Sequence, residues 1–308
     1  MIDFLLIATG FAGLLLGGNW LVNCAVGLAT RWGVSPLVIG LTLVGFGTSM
    51  PELVTSVQAA LAGSAGIAMG NVIGSNIANI LLILGLTCAL SPIAVARGTL
   101  RRDGMVMLGA TFATFALVLF GTVSRPMGLL LISGLALYLV SALRRGDDAA
   151  SQEAEALAPP PLWRGALGLL LGLIVTILAA RALVAGAVSV AAAWGVSEAL
   201  IGVTIVAVGT SLPELVTSII AARKGQADMA FGNIIGSNIF NVLGILGVTA
   251  LVRPMEVPAQ FASLDIWVMT AAALAVLFMG TTGRRISRGE GAALLAGYIA
   301  YTGLLIHG

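Results

Sequence analysis

Glu52 and Glu214 each sit inside an apolar stretch, within the strings GTSMPELVTS and GTSLPELVTS. A carboxylate at mid-bilayer depth costs on the order of 2.5 to 3.5 kcal/mol, so a pair of them implies a use. Thr48 and Ser49 lie one turn N-terminal to Glu52, where their hydroxyls can project with the carboxylate to one side of a helix. Pro51 has no amide hydrogen and clashes with the carbonyl of Gly47, which breaks the helix and frees backbone oxygens. At membrane depth such oxygens survive only in a cavity or against a ligand. Thr210, Ser211, Pro213, Glu214 and the carbonyl of Gly209 repeat the arrangement.

Two further segments add side-chain oxygens. Asn71, Ser75 and Asn79 recur every four residues on an otherwise apolar helix, and Asn233, Ser237 and Asn241 do the same. Ser75, Asn79, Ser237 and Asn241 read as lining a site. Asn71, Asn76, Asn233 and Asn238 read as interhelical packing groups, with Gly70, Gly74, Gly232 and Gly236 permitting close approach. The assembled donors are oxygens, without thiolate or imidazole, carrying a charge of about −2. About six to eight such ligands suit Ca²⁺, which accepts irregular geometry, or several Na⁺; soft metals are disfavoured, and Mg²⁺ would demand a tighter octahedral cage.

The elements that position these residues occur twice. Residues 40–85 and 202–247 align without a gap, with roughly 29 of 46 positions identical, and duplication of this kind marks transporters built from structural repeats. The sequence predicts an all-α integral membrane protein of ten transmembrane helices. In the first half these are about 2–29, 37–62, 67–90, 105–121 and 127–143; in the second, about 165–193, 200–222, 229–251, 266–280 and 289–306. Residues 1–143 and 165–308 then form two five-helix repeats, joined by an acidic, proline-terminated linker over 144–164. Five spans is an odd number, so the second repeat enters the membrane from the opposite side and the topology is inverted.

Composition agrees. Of 308 residues, 59% are hydrophobic and 9% charged, and the mean hydropathy of +1.07 excludes an ordinary soluble domain, whose charged fraction is about 25%. Cys24 and Cys88 both fall in apolar runs and read as small buried hydrophobes. The N-terminus lacks a basic region ahead of its apolar run, so it reads as a first span rather than a cleaved signal peptide. Placing both termini outside puts the linker and most arginines on the cytoplasmic side, leaving Arg125 and Arg253 outside. Arg181, within the sixth span, is expected to snorkel toward the outer interface. A prokaryotic inner membrane is the expected location.

The paired strings GTSMPELVTS with GNVIGSNIANILLILG, and GTSLPELVTS with GNIIGSNIFNVLGILG, resemble the two alpha-repeats of the sodium/calcium exchanger branch of the calcium/cation antiporter superfamily. The resemblance implies a ten-helix antiporter exchanging Ca²⁺ for Na⁺ by alternating access. It implies that Glu52 and Glu214 bind Ca²⁺ with the backbone carbonyls of Thr48 and Thr210. Ser49, Ser75, Ser211 and Ser237 would contribute to flanking Na⁺ sites, with carbonyls from Gly45 and Ala207. Asn79 matches the family's amide, whereas many exchangers carry an aspartate at the position of Asn241. That departure leaves the counter-ion, stoichiometry and any K⁺ dependence open.

Rival classes differ in testable ways. A proton/Ca²⁺ antiporter would use the same glutamates as proton acceptors and follow a pH gradient. A channel could also use paired glutamates, but inverted repeats with broken helices point to alternating access. An enzyme is not expected, because the sole histidine, His307, lies at the chain end and no Ser/His arrangement can be built. No cofactor is implied, Ca²⁺ and Na⁺ being cargo. The expected partners are the lipid bilayer and these ions, with no nucleic acid; the sequence sets no oligomeric state.

Overall fold

The protein is seen in a computed structural model whose described residues are 2–95, 97–144, 161–195 and 207–307. It is a helical membrane protein, and lipid dictates that choice: without water in the hydrocarbon, each backbone N–H and C=O must be paired within its own segment. Helices α1 (Ile2–Trp32), α2 (Pro36–Thr48), α3 (Met50–Leu61), α4 (Ala65–Leu90), α5 (Leu100–Phe120) and α6 (Arg125–Arg144) form the first half. In the second half lie α7 (Leu162–Ala193), α8 (Ala207–Thr210), α9 (Leu212–Arg223), α10 (Ala227–Val252), α11 (Asp265–Gly283) and α12 (Arg288–His307). Eight of these are long and apolar enough to cross a membrane, and α2 with α3, bent by 44° at their break, meet the same requirement taken together. The expected span over 200–222 begins outside the described residues, and α8 and α9 carry its remainder. Linker residues 145–160 also lie outside them.

Local signals set several boundaries. Pro36 opens α2 behind Ser35, whose hydroxyl accepts from the amide of Val38 at 3.4 Å. Gly121, at φ 73°, closes α5 in the left-handed conformation. Among the described residues, four two-residue strands tie the bundle ends. Ile93–Ala94 (β1) pairs with Arg285–Ile286 (β4), and Thr122–Val123 (β2) pairs with Met255–Glu256 (β3).

Among the described residues four spans deviate from ideal winding, one of them over Leu100–Gly104 where α5 begins. Gly40–Val44 in α2, Ala78–Leu84 in α4 and Phe240–Leu246 in α10 are π-helical. Such widened turns rotate the residues that follow and cluster at functional sites. Asn79 and Asn241 occupy the second position of the last two segments.

α4 and α10 form the centre of the bundle: 78% and 89% of their apolar windows are buried, against 33% for α1 and 28% for α7. α1 and α7 pack on each other instead, antiparallel. A Cβ on Gly186 would stand 2.6 Å from the carbonyl of Asp3, one on Gly17 2.7 Å from the Thr176 hydroxyl, and one on Gly168 2.5 Å from Cys24 Sγ. α2 meets α10 equally closely, since a Cβ on Gly236 would lie 2.5 Å from the carbonyl of Leu41.

Candidate cation site

The break between α2 and α3 falls at Ser49 (φ −85°, ψ 8°), and that between α8 and α9 at Ser211 (φ −92°, ψ 8°). Pro51 and Pro213 follow two residues later and cannot continue the ladder. Glu52 and Glu214 therefore stand in the first turns of α3 and α9, where the positive end of the helix dipole favours a carboxylate. Both are 1% exposed.

The two copies exchange hydrogen bonds. Ser49 Oγ donates to Glu214 Oε1 at 2.8 Å, and Ser211 Oγ donates to Glu52 Oε1 at 3.3 Å. Asn71 Nδ2 donates to the carbonyl of Glu52 at 3.0 Å and to Ser56 Oγ at 2.8 Å. Asn233 Nδ2 donates likewise to the carbonyl of Glu214 at 3.3 Å and to Ser218 Oγ at 2.8 Å. Asn241 Nδ2 reaches Ser75 Oγ at 3.0 Å, and Ser237 Oγ donates to the carbonyl of Gly45 at 3.3 Å.

Eight buried side-chain oxygens among the described residues lack a hydrogen-bond partner, and four of them belong to expected site residues. Glu52 Oε2, Glu214 Oε2, Asn79 Oδ1 and Asn241 Oδ1 are buried with no hydrogen-bond donor. A buried acceptor left unpaired costs about 1 to 3 kcal/mol, more for a charged one, so these four, in matching repeat positions beside the two breaks, are oxygens open to a ligand. Among the described residues no group of three or more His, Cys, Asp or Glu is placed to hold a metal ion; at the two breaks the buried carboxylates are those of Glu52 and Glu214, beside neutral oxygens. This suits hard, oxygen-loving ions.

Each expected site residue can be placed. Ser49, Ser75, Ser211, Ser237, Asn79, Asn241, Glu52, Glu214 and Gly45 are buried at helix contacts between or beside the two breaks. Thr48 is buried, but its hydroxyl turns back to the carbonyl of Val44 at 3.0 Å and also reaches Asn233 Oδ1 of the other repeat at 3.4 Å, so it does not project with Glu52 as the spacing suggested. Ser49 likewise serves the opposite glutamate rather than its own. Thr210 is half-buried, and Ala207 is the first described residue of α8. Sequence reasoning passed over Ser56 and Ser218, which anchor the two asparagines; their signal was present, since each lies four residues beyond its glutamate in both copies.

Two cavities approach from one end of the bundle and share Thr210. The larger, about 330 Å³, runs past Gln260, Asp265 and Tyr301 to Asn71 and Ser75. The smaller, about 250 Å³, lies between Pro51, Pro213 and Arg181, whose side chain is exposed.

Broken helices around a buried, oxygen-lined centre define a membrane transporter of cations. The sequence profile described as "Sodium/calcium exchanger protein" matches residues 2–144 and 164–307, and the chain belongs to that family. It is 40% identical over 315 residues to the putative antiporter CaxA of Alkalimonas amylolytica, covering 99% of both chains. To the inner membrane protein YrbG of Escherichia coli it is 37% identical over 323 residues, covering 98% of this chain and 97% of that one. Its fold matches the sodium-calcium exchanger NCX_Mj, solved at zero Na⁺ and Ca²⁺, with a TM-score of 0.86 at 33% identity over 99% of each chain. The family is one of exchangers and not of enzymes, in line with the expectation from the chain's histidine.

Proposed function

We propose that the protein exchanges Ca²⁺ for Na⁺ by alternating access, with Glu52 and Glu214 as the shared ligands of a midplane site. The observation that carries this reading is that each glutamate gives one oxygen to a serine of the other repeat and keeps the second buried and unpaired. Glu52 and Glu214 take Ca²⁺ together with the carbonyls of Thr48 and Thr210. Ser49, Ser75, Ser211 and Ser237, with Asn79, Asn241 and the carbonyls of Gly45 and Ala207, complete the site and hold Na⁺ at its flanks.

Antiport follows from electrostatics. Two unneutralised carboxylates in a dry centre repel each other, so the empty carrier resists closing until one Ca²⁺ or a set of Na⁺ cancels the charge. The inverted arrangement of two repeats, 1–143 and 165–308, is supported by the antiparallel contact of α1 with α7. On this reading the tenth span runs through α8 and α9, both termini are outside, and residues 144–164 are a cytoplasmic linker. The relative named an inner membrane protein supports a bacterial inner-membrane location.

The test is radiolabelled Ca²⁺ uptake into proteoliposomes under an outward Na⁺ gradient, compared with outward H⁺ and K⁺ gradients. Uptake that requires internal Na⁺ is the expected result. Asn241 supplies an amide where a third carboxylate would sit and donates it to Ser75, which leaves the charge at −2 and keeps a proton-coupled reading in play. Uptake that follows the proton gradient alone would replace the Na⁺ reading with that one.

A further inference from the structure

The larger cavity carries a charge that the exchange site does not use. Asp265 stands in the first turn of α11, half-buried, with Oδ1 accepting a hydrogen bond from Tyr301 OH at 2.7 Å. Among the described residues it has no ion-pair partner. Its carboxylate lines the 330 Å³ cavity together with Gln260 and Tyr301, and the same cavity reaches Ser75 and Thr210 at the buried site. The smaller cavity also reaches Thr210, but the charged group on its wall is Arg181. One approach to the site is therefore lined by an unneutralised anion and the other by a cation.

We infer that Asp265 and its cavity form an outer cation-capture site, which collects Na⁺ or Ca²⁺ from the medium and delivers them past Asn71 to Glu52 and Glu214. A low-dielectric cavity lined by one sign of charge concentrates counter-ions and raises their rate of arrival, whereas Arg181 opposes cation entry by the other route. Tyr301 orients the carboxylate with its O–H and leaves Oδ2 for the ion. The neutral oxygens of Gln260 and of the tyrosines add weak ligands, as a site that must release its ion inward requires. The inference rests on the reading of Glu52 and Glu214 as the transport site, but its test does not depend on flux.

Tb³⁺, which replaces Ca²⁺ at oxygen sites, luminesces when a nearby tyrosine is excited, and Tyr298 and Tyr301 both line this cavity. In the full chain carrying Glu52→Gln with Glu214→Gln, tyrosine-sensitised Tb³⁺ luminescence displaced by Ca²⁺ is expected to persist. Adding Asp265→Asn should cut it about fivefold or more, and Asp265→Glu should restore it, which separates loss of charge from loss of fold. On the transport side, Asp265→Asn alone should raise the half-saturating external cation concentration about three- to tenfold at low ionic strength. That effect should shrink as salt screens the charge, and cytoplasmic half-saturation should not move. A Tb³⁺ signal indifferent to Asp265→Asn, or one lost with Glu52→Gln and Glu214→Gln, would overturn the inference. An Asp265-dependent signal in a protein without Na⁺-driven Ca²⁺ flux would instead remove the exchange reading and leave the capture site.

Discussion

The hydroxyl of Ser49, in the first broken helix, donates to Glu214 Oε1 at 2.8 Å across the interface between the two sequence repeats. Ser211 returns the contact to Glu52 at 3.3 Å, so neither copy of the motif builds a complete site alone. On the proposed reading, the transport site belongs to the interface.

Removing either carboxylate should therefore disable the whole. Glu52→Gln and Glu214→Gln are each expected to abolish Ca²⁺ flux in proteoliposomes while the protein still elutes as a folded species with an unreduced melting temperature. The second half of that expectation follows because the amide removes a buried charge whose desolvation is unfavourable. Near-normal flux in either variant would refute the assignment.

The serines should affect Na⁺ more gently. A hydrogen bond to a charged group contributes about 1.5 to 3 kcal/mol. Ser49→Ala is thus expected to shift the Na⁺ concentration that half-inhibits Ca²⁺ uptake about tenfold, and Ser211→Ala, with the longer bond, by less. An equal or reversed order of the two would count against the geometry.

Asn241→Asp tests the charge of the site. A third carboxylate takes it from about −2 to −3, and the added attraction grows with the charge of the ion. The half-saturating Ca²⁺ concentration should fall about tenfold, and more Na⁺ should be needed to drive Ca²⁺ off. Titrating Ca²⁺ uptake against Na⁺ measures both; unchanged curves would mean that position 241 does not face the ions.

Backbone proximity sets the next expectation. A methyl on Gly236 would stand 2.5 Å from the Leu41 carbonyl and 2.7 Å from its Cα, neither of which can rotate away. Overpacking of this kind costs about 1 to 3 kcal/mol. Gly236→Ala should lower the melting temperature in detergent by about 2 to 10 °C. Gly109→Ala, where nothing lies within 4 Å among the described residues, should leave it unchanged or raise it through better helix propensity.

Much of this was legible in the residues. Glu52 and Glu214 stood out because a carboxylate in an apolar run has few structural uses, and the spans followed from the length of hydrocarbon they must cross. The boundaries shifted by a few residues where caps decided them, as at Gly121. The partners of each group were not legible. Spacing along one helix put Thr48, Ser49 and Glu52 together, yet Thr48 bonds its own backbone and Asn233 of the other repeat, and Ser49 bonds Glu214, because two interdigitated helices offer acceptors that one helix does not. The π-helical turns that carry Asn79 and Asn241 left no mark in composition, since widening a turn changes only which carbonyl an amide reaches. Asp265 immediately precedes the expected span over about 266–280 and drew no functional signal there, and only the fold brings Tyr301 and the cavity to it.

The glycines between α1 and α7 carry a mechanical consequence. Backbones that approach within the reach of a single methyl at Gly10, Gly17, Gly172 and Gly186 cannot slip past each other without climbing over side chains. Cys24 offers a check, because a Cβ at position 168 would lie 3.7 Å from its Cβ, close to the separation of about 3.8 Å found in disulfides. Gly168→Cys should cross-link to Cys24 under mild oxidation and leave Ca²⁺ exchange intact; exchange lost on oxidation and regained on reduction would show that the two helices shear. On the proposed alternating-access reading, a helix from each half joined in this way becomes one lever with a single degree of freedom, and whatever displacement uncovers the centre on one face withdraws access on the other by the same stroke.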